Sequence, residues 1–182
     1  MNNLILTDIA SNLRAEDYAL IVFTLTCAVT DAWRKKIYNW ATLPAFIAGV
    51  TLASLSGGWK GLGFSLLGAV AGFIILYFFW AAGGMGAGDV KFLMAVGAIK
   101  GPLFVFKSAL CGIFVAGIVT VIWMLVRGVF FKSLKNVMIP FYTSFVSGFR
   151  ISPMPQTKSP ALPFGFYLAV GIMGYWLYEA LL

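Results

Sequence analysis

The sequence predicts an all-α, polytopic membrane protein with six transmembrane helices. Apolar residues make up 61% of the chain and mean hydropathy is +0.94, more apolar surface than a water-soluble chain of 182 residues readily hides in one core. Charged residues are only 10% of the total, and they gather at the breaks between apolar runs. Those breaks are rich in glycine, proline and bases, the composition of turns that connect helices at a membrane surface.

Met1 to Arg14 reads as a short interfacial segment, with Leu4, Ile5, Leu6 and Ile9 on one apolar side. Residues 1–16 thus precede a single membrane domain at 17–182. Asp8, Arg14, Glu16 and Asp17 come before the first long apolar run, without a basic leader or a small-residue cleavage site. That run is therefore expected to be a retained helix and not a removed signal peptide. It covers residues 17–31 and ends on Asp31, ahead of the dense basic turn Arg34-Lys35-Lys36. A second helix lies within 37–59 and is expected to begin near Thr42 or Pro44, because proline suits a first turn whose amides have no partner inside the helix. Ser56-Gly57-Gly58-Trp59-Lys60-Gly61 marks the following turn.

Leu62 to Ala81 is uncharged and makes the third span, closed by the aromatic cluster Tyr77-Phe78-Phe79-Trp80 that suits a membrane boundary. Gly83 to Lys91 then interrupts the apolar pattern with a flexible, polar stretch. Val90 to Ile99 starts a fourth span, short or tilted, because Lys100-Gly101-Pro102 stops it. Leu103 to Val126 is the fifth, with Lys107 able to snorkel from its end. Residues 127–159 form a basic loop bearing Arg127, Lys132, Lys135, Arg150 and Lys158, interfacial in character. Pro160 to Tyr178 supplies the sixth span, with Glu179 at its exit.

Charge orients these spans. With Arg34-Lys35-Lys36 on the cytoplasmic side, nine bases fall there and four fall opposite, and both termini are extracytoplasmic. The net charge of +7 is accounted for as a topology signal; there is no basic tail of the kind that binds nucleic acid. Cys27 and Cys111 lie inside apolar runs and are expected as buried free thiols. Two cysteines without any histidine make no metal set, so neither metal nor cofactor is predicted.

The same topology brings two acids to one depth. Asp31 ends the first span and Asp89 opens the fourth, both at the cytoplasmic boundary. Two carboxyls around a water can divide labour, one taking a proton while the other, protonated, assists a carbonyl or leaving group. The residues alone leave a second reading open, in which Asp31 is an end-of-helix acid near Arg34 and Lys35, and Asp89 caps a helix near Lys91.

Gly86-Ala87-Gly88-Asp89-Val90-Lys91 resembles the glycine-glycine-aspartate signature of the type IV prepilin peptidases, an A24-type aspartic peptidase family. Asp31, in Asp31-Ala32-Trp33-Arg34-Lys35-Lys36-Ile37-Tyr38-Asn39, is similar to that family's first catalytic acid. Leu162-Pro163-Phe164-Gly165-Phe166 resembles its proline-phenylalanine-glycine region, so the likeness runs over residues 17–181. The short form resembles the branch associated with tight-adherence or Flp-type pilus assembly.

The resemblance implies an aspartic endopeptidase of the bacterial inner membrane that cleaves the basic leader of a prepilin or pseudopilin at the cytoplasmic boundary. Its catalytic pair is Asp31 and Asp89, and membrane lipids are its surroundings. Gly86 and Gly88 are expected to position Asp89 and admit the substrate backbone; Asn39 and Lys91 are weaker candidates for substrate positioning. Ordinary turn, cap and topology roles compete for all four. The bases at 34–36 are topology anchors first, since a basic leader would be repelled by them. Two departures stand out: Tyr38 occupies a position where the family commonly has proline, and the chain has no four-cysteine cluster or evident methyl-donor domain, so methyltransferase activity is not predicted. The alternative function is a noncatalytic prepilin-binding assembly factor. A transporter fits less well, for want of an inverted repeat or a second polar pathway.

Overall fold

The computed structural model describes residues 13–81, 85–128 and 163–182, and these are almost entirely helical. Helix α1 is Ala15–Arg34. The helical stretch Asn39–Ala81 bends at Gly58, whose φ of 56° and ψ of −138° break the helix, and it divides there into α2 (39–57) and α3 (59–81). Glycine tolerates that positive φ without a Cβ clash, which lets α3 fold back along α2. Helices α4 (Ala87–Lys100), α5 (Pro102–Val126) and α6 (Phe164–Leu181) follow. Most of the interfacial segment (1–12), Gly83, Gly84 and most of the basic loop (129–162) lie outside the described residues.

The fold is all-helical as expected, with boundaries that differ in informative ways. Helix α2 starts at Asn39, ahead of the expected Thr42 or Pro44, so Pro44 falls inside the helix. Being so near the start, Pro44 removes a single ladder bond, to the Trp40 carbonyl, and Trp40 is exposed. Helix α4 begins at Ala87, not Val90, and so takes Asp89 into its first turn. Of the two cysteines, Cys27 is buried but Cys111 is exposed, which corrects the expectation that both are covered. An apolar run in a membrane protein has no need to face inward at every position.

Three helical stretches among the described residues are long and apolar enough to cross a membrane: Asn39–Ala81, Pro102–Val126 and Phe164–Leu181. Helix α1 has 20 residues but carries Glu16, Asp17, Asp31 and Arg34. Helix α4 has 14 residues, a length of about 21 Å against a hydrocarbon core of about 30 Å. Its shortness has a physical reason. Phe92, Leu93, Ala95, Val96, Ala98 and Ile99 are all buried, so α4 is covered nearly all round by other helices.

Close contact between α3 and α4 makes this possible. A Cβ on Gly68 would strike the Gly97 backbone and one on Gly97 would strike Gly68, so the two helices cross main chain to main chain. The Ser65 hydroxyl donates to the Ala98 carbonyl across the same seam at 2.7 Å. The large side chains that remain exposed, among them Leu67 and Ile74 on α3 and Phe106, Leu110 and Phe114 on α5, form an apolar outside suited to lipid as solvent.

At the turn between α4 and α5, Gly101 has φ of 84° and Pro102 opens the next helix, which explains the stop seen in Lys100-Gly101-Pro102.

Candidate active site

Four chain segments converge at one end of the bundle: the last turn of α1, the residues leading into α2, and the first turns of α4 and α6. Asp31 lies one turn from the end of α1, where its backbone carbonyl accepts from the Lys35 amide at 2.8 Å. Lys35 ends the helix in the left-handed region, φ 52° and ψ 37°, turning the chain toward Ile37 and α2. A carboxylate near a helix C-terminus meets the negative end of that helix. Here it is compensated from outside: the Phe166 amide, in the first turn of α6, donates to Asp31 Oδ2 at 2.8 Å, and Gly165 packs against the same carboxylate. That amide has no partner within its own helix, so Asp31 caps α6 while α6 fixes Asp31. The carboxylate is almost completely covered, at 5% exposure for the residue.

Asp89 is the third residue of α4, whose N-cap is Gly86. Its carboxylate lies against the Gly86 backbone, where a Cβ on Gly86 would stand 3.5 Å from Asp89 Oδ2. The helix-cap role weighed from sequence falls to Gly86 instead, and Asp89 stands in the first turn of α4, where an acid suits the helix N-terminus. A Cβ placed on Gly165 would stand 3.0 Å from Asp89 Oδ1 and 3.1 Å from Asp31 Cγ. Those two atoms are thus no more than about 6 Å apart, within the range at which carboxyls influence each other's charge.

A cavity of about 280 Å³ opens beside the pair, lined by Asp31, Asp89, Gly86, Gly88, Asn39 and the 35–38 turn. It is large enough for several waters or a length of extended peptide backbone. Five of the six residues singled out from sequence, Asp31, Asp89, Gly86, Gly88 and Asn39, meet here. The sixth does not: Lys91 reaches Asn39 Oδ1 at 2.9 Å on an exposed face and lines a neighbouring groove with Thr42, Leu43, Phe46 and Met94. Gly88 has a packing reason to be glycine, since a Cβ there would press within 3.0 Å of Ile37 Cβ and 3.2 Å of its carbonyl.

Reasoning from sequence missed Gly165 and Phe166 as members of the site. The signal available was Pro163 followed closely by glycine at the start of an apolar helix, an opening that leaves free amides and no side chain in front of them. Chemically, the arrangement offers two carboxyls, a fixed amide behind one of them, and space for water between covered and open sides.

A family profile described as the type IV leader peptidase family matches residues 18–125, which include both acids. The chain is 39% identical over 109 residues to a prepilin leader peptidase/N-methyltransferase of Aeromonas hydrophila, a match covering 53% of this chain and 37% of that protein. A protein of the same description from Aeromonas salmonicida (strain A449) is 39% identical over 107 residues, covering 52% and 36%. The aligned region therefore spans little more than a third of the length of these curated relatives. No solved structure matches the chain. The profile match extends over more than half of the sequence and runs from α1 through nearly all of α5, and the chain belongs to the type IV leader peptidase family.

Proposed function

We propose that this protein is an aspartic endopeptidase that removes the basic leader from type IV prepilin-like substrates. The observation that carries the reading is the convergence of Asp31 and Asp89 around one cavity, within about 6 Å of each other and with Gly165 against both. In the proposed reaction the pair holds one proton. The ionised acid takes a proton from water as the hydroxide oxygen attacks the scissile carbonyl carbon; the protonated acid donates to the carbonyl oxygen, giving a neutral gem-diol intermediate. On collapse the C–N bond breaks, one diol proton returns to a carboxylate, and the leaving amine takes a proton from the other acid. The pair ends with one proton, as it began.

The Phe166 amide supports this chemistry by holding Asp31 in one orientation through both proton transfers. Lys35 and Lys36, at the mouth of the cavity, offset the dyad's single negative charge. Gly86 and Gly88 keep the approach to Asp89 clear for a peptide backbone, and Asn39 borders the same entry. Lys91 acts indirectly, by orienting Asn39.

The proposed setting is the bacterial inner membrane, crossed six times, with α1 and the short α4 completing the spans. Both termini are extracytoplasmic and the acids lie at the cytoplasmic boundary, the orientation favoured by nine bases against four. Residues 127–159 form a basic cytoplasmic loop at the interface. Methyl transfer, part of the description of the longer relatives, is not assigned to this chain.

The test is cleavage of an intact prepilin by the purified protein in proteoliposomes, with the new ends identified by mass spectrometry. Asp31→Asn and Asp89→Asn should each lower kcat by about 10⁴-fold while the protein stays folded, as removal of one member of a catalytic unit does. Retained cleavage in either variant refutes the dyad. Binding of the prepilin by wild type without cleavage favours the noncatalytic assembly factor instead.

A further inference from the structure

The most elaborate polar cluster outside the site lies at the opposite end of the same helices. Asp17 is buried in the first turn of α1, 14 positions before Asp31, a separation of about 21 Å along the helix. Both of its oxygens are engaged. Oδ1 accepts from Lys100 Nζ at 2.7 Å and from Trp176 Nε1 at 2.8 Å; Oδ2 accepts from the Arg14 amide at 2.9 Å. Lys100 is the last residue of α4 and Trp176 belongs to the final turns of α6. One carboxylate thus ties together three helices, and they are the three that carry Asp31, Asp89 and the Phe166 amide at their other ends.

Local capping accounts for part of this cluster: an acid suits the start of α1 and a base the end of α4. It does not account for Trp176, whose indole crosses from a third helix to the oxygen already bonded by Lys100. Nor is simple stability a sufficient reason, since apolar side chains of similar volume often replace a buried ion pair without loss. Directional bonds do what apolar packing does not: they admit one axial register and one rotation for each helix.

We propose that Asp17, Lys100 and Trp176 are positioning residues that set the spacing of the acid pair from the far end of the bundle. The proposal rests on the peptidase reading for its kinetic consequence, but the geometry it asserts is independent of that reading. Helices packed across their middles behave as levers, so a shift of about 1 Å at the clamp is carried to the acids, and a misplacement of that size costs a reaction about 100-fold. A cavity of about 430 Å³ beside the cluster, with Arg14 and Glu179 in its wall, gives water access to a polar group left without its partner. Single substitutions here are therefore compatible with folding.

Two measurements on the full chain in proteoliposomes test the proposal. In the first, kcat and KM for prepilin cleavage are compared for wild type, Trp176→Phe, Lys100→Met and Lys100→Arg at a temperature where thermal unfolding shows every variant folded. Trp176→Phe and Lys100→Met should lower kcat roughly tenfold at unchanged KM, their double variant should lose less than the product of the two, and Lys100→Arg should retain most activity. Folded variants with wild-type kcat overturn the proposal. The second needs no activity: in a Cys27→Ala, Cys111→Ala background, which removes the buried and the exposed native thiol, the paired Asp31→Cys and Asp89→Cys substitutions are joined by a short bifunctional thiol reagent. Cross-linking should slow at least fivefold when Trp176→Phe is added. An unchanged rate overturns the clamp whatever the enzyme cleaves, whereas slowed cross-linking in a protein that cleaves no prepilin leaves the clamp standing and removes the peptidase reading.

Discussion

Gly165→Ala is the sharpest test of how the acids are held. The added Cβ would lie 3.0 Å from Asp89 Oδ1, 3.1 Å from Asp31 Cγ and 2.7 Å from Ile37 Cδ1. Ordinary contact begins near 3.4 Å, so both carboxyls are met about 0.3 to 0.4 Å too soon. The Ile37 clash is at the end of a flexible side chain and relaxes by rotation. The carboxyls have less freedom, because Asp31 is bonded to the first turn of α6, on which the new methyl itself stands, and Asp89 is carried on the first turn of α4. Each must move by about 0.3 to 0.4 Å, close to the tolerance of about 0.5 Å for a working constellation. The expected outcome is a kcat at least roughly tenfold lower, KM little changed, and a stability loss of about 1 to 2 kcal/mol from overpacking. The assay is prepilin cleavage in proteoliposomes beside thermal unfolding of the same preparation. Wild-type kcat in a folded Gly165→Ala protein refutes the view that close packing of this glycine positions the acids.

Gly86 separates a backbone requirement from an amide requirement, because its φ of −77° and ψ of 145° are angles that proline adopts. Gly86→Pro, which removes the amide facing Asp89, should lower kcat about tenfold, while Gly86→Ala, whose Cβ meets Asp89 Oδ2 at an ordinary 3.5 Å, should stay near wild type in the same cleavage assay. Equal activities would mean that the Gly86 amide does not position Asp89. Lys35→Gly should raise stability by about 0.5 to 1 kcal/mol, read as an upward Tm shift, since glycine removes the Cβ penalty of the left-handed cap. Gly97→Val should cost about 3 kcal/mol or prevent folding, because its side chain falls on the Gly68 backbone where α3 and α4 cross; a normal Tm would show that the crossing is looser than described.

How much could be read in advance divides along physical lines. Helix existence and the order of elements were legible, because each depends on a run of apolar residues and on nearby glycine or proline stops. Asp31 and Asp89 were legible as candidates, since an acid beside a long apolar run is costly enough to need a reason. Helix starts were less so. Pro44 marked an early turn without marking which residue of it, and α4, with Gly86 as its N-cap, starts three residues earlier than the hydrophobic pattern indicated. The second cysteine shows a similar limit, because in a membrane chain apolar neighbours do not distinguish a core position from a lipid-facing one.

By itself, the sequence determined a helical membrane chain and two acids at its polar breaks, for those follow from local hydropathy, charge and backbone freedom. Only the tertiary structure decided that the first turn of α6 supplies the Phe166 amide to Asp31, that Gly165 packs against both acids, that Lys91 turns away to Asn39, and that Asp17 gathers Lys100 and Trp176 at the far end. Each of these pairings joins residues 52 to 159 positions apart. No local propensity encodes such a distance; it is set by the crossings of helices at glycine, where main chains approach closely enough to fix which ends meet.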